Sequence, residues 1–154
     1  MTRDFPSPNL DAVMHRTILV EAARCWRKAR DAGQSVQPCL YRALAPHDCE
    51  MLAPVFDSLM TLCENALGRQ VAVGEAATLS SDEHMLLNMI DGSKPRRACI
   101  DCPESAATSL DCAICSTRIM MGLAMAHHTD NPGHHRAPVQ VGLAAPGSDS
   151  GTAG

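Results

Sequence analysis

A chain of 154 residues has room for one domain with a modest core. Its net charge of −4, with only Lys28 and Lys94 as lysines, gives no basic field of the kind that dominates binding to nucleic-acid phosphates. Aromatic residues make up 3% of the chain, which leaves out a base-stacking platform and favours a helical core of Leu, Met, Ala and Ile over a sheet. The opening Met1-Thr-Arg-Asp-Phe-Pro-Ser-Pro has no apolar secretory region, and Ile18-Leu19-Val20 is too short to cross a bilayer, so a cytoplasmic protein without membrane association is expected.

Ser7-Pro8 supplies an N-cap and first-turn proline for a helix over 8–31. Leu10, Met14, Ile18, Ala22, Cys25/Trp26 and Ala29 recur at helical spacing, and Gly33 ends the run. That register assigns Trp26 and Cys25 to the core. The opposite face carries Arg16, Glu21, Arg24, Arg27, Lys28 and Arg30, read as a solvated face whose positive charge suits the helix C-terminus.

A second short helix covers 38–44, with Leu40 and Leu44 inward, and Ala45-Pro46-His47-Asp48 breaks it. Pro54 demands either a fresh start or a kink. The apolar stripe Val55, Phe56, Leu59, Leu62, Cys63 and Ala66 then marks a third, central helix closed by Leu67-Gly68. Gln70-Val-Ala-Val-Gly74 is the one strand-like piece. Ser80 and Glu83 have capping-box spacing for a fourth helix starting near Ser81, with Asp82 and His84 partly exposed, Met85/Leu86, Met89 and Ile90 inward, and Gly92 as its left-handed stop.

The last helical region begins at Pro103 and runs toward His127. Two descriptions fit it: one unbroken helix, or a short helix to Ser109, a turn at Asp111 to Cys112 and a second helix from 113. The fold class is thus all-α, a bundle of about five helices in a single domain over 1–127. Residues 128–154, rich in His, Gly, Ser, Ala and Pro, lack apolar content for a core and are expected to be a flexible tail.

The strongest chemical signal lies at the entry to that last region. Cys99, Cys102, Cys112 and Cys115 form C-x2-C-x9-C-x2-C, the pattern from which a closed four-thiolate site is built at 99–115. Four thiolates fill the tetrahedral preference of zinc and leave no position for a substrate water, so the expected role is structural, with an iron–sulfur cluster less favoured. Arg96, Arg97 and Arg118 are placed to offset the charge of such a site. Cys39, Cys49 and Cys63 have irregular spacing and read as buried thiols; a pairing of His47 with Cys49 lacks an orienting third group.

No phosphate loop, His-Glu-x-x-His, Gly-x-Ser-x-Gly or paired-carboxylate set occurs. The expectation is a small non-enzymatic regulatory protein that binds a protein partner, as a monomer or homodimer, with structural zinc. The alternatives are a DNA-binding regulator, which needs Arg96, Arg97 and Arg118 to join the arginines of the first helix in one positive stripe, and a redox- or metal-responsive thiol sensor.

Overall fold

The longest apolar stripes of the chain pack against one another, and that pairing sets the architecture. The structure is a computed structural model and describes residues 10–129. Its helices are α1 (Leu10–Asp31), α2 (Val36–Leu44), α3 (Ala53–Leu67), α4 (Ser81–Asp91), α5 (Arg96–Cys99) and α6 (Glu104–Thr129), with 3-10 turns at Ala45–His47 and Glu50–Leu52. The all-α expectation holds, with six helices instead of about five and no strand among the described residues. The expected tail lies, from residue 130 onward, outside the described residues.

α3 packs most extensively against α6, and α1 against α2. Phe56, Leu59, Met60 and Cys63 of α3 meet a core that includes Leu110, Ile114 and Met121 of α6 and Ile18, Ala22 and Trp26 of α1. α6 is unbroken through Asp111 and Cys112, which settles the choice between the two descriptions of this region. Its residues Glu104–His127 are long and apolar enough, by length and composition, to cross a membrane, a feature the short run at 18–20 did not suggest. In this fold Leu110, Ala113, Ile114, Met121, Ala124 and Met125 are buried in the core, while Ile119 and Leu123 stand exposed.

Local chemistry explains the boundaries. Pro54 stands in the first turn of α3, where its missing N–H is no loss, so the chain restarts there after a 3-10 turn. Gly68 and Gly92 end α3 and α4 in the left-handed conformation at φ 65° and 81°. At the start of α4 the capping box forms as the spacing predicts: the Ser80 hydroxyl accepts from the Glu83 N–H, and the Glu83 carboxylate accepts from the Ser80 N–H at 2.8 Å. Trp26 is fully buried and its Nε1 donates to Asp57 Oδ1 at 2.8 Å, with the guanidinium carbons of Arg27 and Arg30 at 5.4 and 5.1 Å from its ring centroid.

The segment between α3 and α4 departs from expectation. Residues 70–74 form no strand; they belong to an irregular connection whose backbone is held by side chains. Val71 N–H donates to Glu64 Oε1 at 2.8 Å and Ala72 N–H to Asp82 Oδ2 at 2.7 Å, replacing the sheet ladder that a lone strand lacks. Asp82, expected to be partly exposed, is buried, as is Glu83. Arg69 pairs with both oxygens of Asp82 at 2.6 and 2.9 Å. Arg24 pairs with both oxygens of Glu83 at 2.6 and 3.1 Å and also donates to the carbonyls of Ala76 and Thr78. Arg27 is buried and reaches Glu64 at 2.5 Å. Arg24 and Arg27 therefore leave the solvated face that helical spacing assigned them.

Gly74 has a packing reason within this connection: a Cβ there would stand 2.1 Å from the Thr78 carbonyl oxygen. The bidentate Arg69 holds the Asp82 carboxyl below its usual range, aided by the Ala72 N–H and against the effect of burial. Burial pushes Glu83 up, but Arg24 and the N–H groups of Ser80 and Gly74 outweigh it and leave the carboxyl below its usual range.

Both depressed groups contribute stability that is present in full above their ordinary values of 3.8 and 4.5 and is lost as pH falls through the folded ones. Urea midpoints measured against pH are therefore expected to decline through the acid range below those values. Glu83→Ala, which removes the counter-charge of Arg24 and leaves two N–H groups unanswered, is expected to cost about 3 kcal/mol at neutral pH and to blunt that acid sensitivity.

Candidate functional site

Pro95 precedes the single turn of α5, Ile100 then inserts into the core in extended conformation, and Pro103 leads into α6. This places Cys99 and Cys102 half-buried on the connection and Cys112 and Cys115 exposed on α6. The last two stand one turn apart on a continuous helix, as their spacing requires. Among the described residues, no group of three or more His, Cys, Asp or Glu side chains is placed to hold a metal ion. The four-cysteine metal-binding segment expected at 99–115 is thus not shown by this structure: Cys112 and Cys115 are exposed on unbroken α6, and Cys99 and Cys102 pack partly buried against the core.

An arginine ties this region together. Arg96 Nε donates to Asp111 Oδ1 at 2.7 Å, and its Nη1 donates to the Ile100 carbonyl at 3.2 Å and to Cys102 Sγ at 3.8 Å. One guanidinium thereby joins α5, the connection and α6. Arg118 reaches the Ile90 carbonyl at 3.0 Å and the Met89 carbonyl, capping the C-terminal end of α4. Arg97 is exposed. Clefts of 350 and 390 Å³ flank Arg96; the first includes Arg97, Asp101 and Cys102, and the second Lys94, Cys115 and Arg118.

The other cysteines are dispersed through the bundle. Cys49 is buried and its thiol donates to the His47 carbonyl at 3.1 Å, while His47 Nε2 meets Glu21 at 2.7 Å. The imidazole is thus engaged with a carboxylate. Burial pushes the Cys63 thiol up to about 12, with Asp82 and Glu64 adding to the shift, and it packs as a small hydrophobe. Cys25 and Cys39 lie half-buried on α1 and α2, two helices that pack against each other.

A different surface has the character of a binding site. A groove of 620 Å³ runs between α2, the 3-10 turn at Glu50–Leu52 and the start of α3. Pro38, Ala53 and Pro54 form apolar walls, and Tyr41 and Met51 stand 57% and 51% exposed along it. Arg42 and Glu50 add opposite charges to its lining. The sequence reading missed this site because Tyr41 and Met51 fall on the outward side of short elements, where no periodicity flags them. The one available cue is that two large apolar residues flank a proline-rich break.

The fold and this groove define an all-α bundle with an apolar surface site. No protein-family model, curated protein or solved structure matches the chain.

Because Cys112 is exposed and Arg96 bridges three groups, the two substitutions should separate. Cys112→Ser is expected to stay within about 0.5 kcal/mol of the parent by urea denaturation. Arg96→Met should cost about 1 kcal/mol or more. A structural zinc drawing on Cys112 would reverse that order, with metal lost from the serine variant by elemental analysis.

Proposed function

We propose that this protein is a non-enzymatic, regulatory binding module that docks a segment of a partner protein in the groove between α2 and α3. The observation that carries the reading is the 620 Å³ apolar groove with Tyr41 and Met51 exposed along it. Tyrosine offers a large amphipathic contact at low entropic cost, and methionine adapts its shape to an incoming side chain. A protein segment with a bulky apolar anchor suits this lining. An acidic residue on one side of the anchor would meet Arg42, and a basic residue on the other would meet Glu50.

The arrangement of the arginines does not favour the DNA-binding alternative. Arg24, Arg27, Arg96 and Arg118, four of the cations such a footprint would draw on, are committed to Glu83, Glu64, Asp111 and the carbonyls of α4. Zinc at Cys99, Cys102, Cys112 and Cys115 rests on spacing alone and forms no part of this reading.

Selection of peptides from a random displayed library by the full chain tests it. Enriched sequences are expected to share a large apolar residue flanked by opposite charges. Met51→Asp and Tyr41→Ala should each weaken the selected peptides by tenfold or more, while Ile119→Asp on α6 leaves them unchanged. Failure to enrich a shared anchor, or binding indifferent to Met51→Asp, would overturn the proposal.

A further inference from the structure

α1 packs against α4, and between them opens a cleft of 240 Å³ that shares no lining residue with the groove of α2 and α3. Helical spacing builds its walls. His15, Arg16 and Leu19 share one face of α1, and His84, Leu87 and Asn88 share one face of α4. Leu19 is buried and Leu87 packs partly buried against the core, so the two leucines give the cleft an apolar lining.

The polar groups around that lining are donors without acceptors. His15 Nε2 is the one buried side-chain nitrogen or oxygen among the described residues that has no hydrogen-bond partner. Such atoms are uncommon because a lost partner is costly away from water. The Arg16 side chain makes no hydrogen bond or ion pair among the described residues, whereas Arg24, Arg27, Arg69, Arg96 and Arg118 each answer a carboxylate or a carbonyl. The His84 ring likewise meets no partner among the described residues. Asn88 Oδ1 accepts from the Ser93 hydroxyl at 3.1 Å, which leaves the amide N–H groups to donate. Asp91 is the one carboxylate of the lining, and its Oδ1 accepts from the Ser93 N–H at 2.7 Å.

We propose that this cleft binds a small organic monocarboxylate. Arg16 supplies the planar fork that matches a carboxylate, the two imidazoles and the Asn88 amide supply further N–H donors, and Leu19 and Leu87 receive the apolar body. Rotation about χ2 of His15, a broad two-fold torsion, brings its ring N–H to the ligand. The cleft is smaller than the roughly 300–1,000 Å³ usual for drug-sized ligands, which suits a short branched acid. Asp91 repels a dianion more than a monoanion, so a carboxylate is favoured over phosphate.

The test titrates the isotopically labelled full chain with isocaproate, read by calorimetry and by the histidine ring signals in NMR spectra. The expected result is a single saturable event that shifts the His15 and His84 signals and leaves those of the other histidines in place. Isocaproamide, which keeps the apolar body and loses the charge, should bind about tenfold more weakly, as should inorganic phosphate. Arg16→Gln and His84→Gln, both at exposed positions, should each weaken isocaproate by about tenfold, whereas Lys28→Gln, the same loss of charge elsewhere on α1, leaves it unchanged. Absence of saturation by both isocaproate and phenylacetate would overturn the proposal. So would an amide or phosphate that binds as tightly as the acid, or binding indifferent to both Arg16→Gln and His84→Gln.

Discussion

Two adjacent carboxylates at the head of α4 hold α1, the end of α3 and the connection that follows it to the start of α4. Glu83 closes its own helix N-terminus and receives Arg24 from α1, while that same arginine ties down the carbonyls of Ala76 and Thr78. Asp82 receives Arg69 from just beyond α3 and the Ala72 N–H. Buried ions of this kind are costly unless nearly every lone pair is answered, and here several donors converge on each. The irregular connection from 68 to 80 depends on them, since it has no sheet partner. The apolar core between α1, α3 and α6 supplies the driving force, but the carboxylates specify how α4 closes over it.

Much of the helical layout was legible from local signals. The ends of α3 and α4 follow from Gly68 and Gly92, and the start of α4 from Ser80 and Glu83, because caps are decided within a few residues. Trp26 was assignable to the core from its register beside Ala22 and Ala29. What could not be read was anything requiring distant partners. Glu83 already had a complete local explanation as a capping residue, so nothing in the sequence pointed to Arg24. Arg24 and Arg27 sit at positions that helical spacing makes polar, and only the fold shows that their polar partners are internal.

The cysteine segment shows the same limit from the other side. Repeated Cys-x-x-Cys intervals describe which sulfurs are near one another along the chain; whether two pairs face each other depends on the path between them. α6 runs unbroken through Cys112 and Cys115, and Arg96 bridges Ile100, Cys102 and Asp111. The groove between α2 and α3 was hidden for a related reason: its lining comes from three short pieces, each too brief for a periodic signal.

The scarcity of aromatic residues gives the molecule a useful optical simplicity. Its one tryptophan is sealed in the core, bonded to Asp57 of α3 and covered by two guanidinium groups, and its one tyrosine stands at the groove. Each chromophore is therefore native and unique in its class. Light absorbed by the indole reports on the junction of α1 with α3, and the phenol reports on the outer surface of α2, so interior rearrangement and surface occupancy can be followed as separate signals without attaching a label.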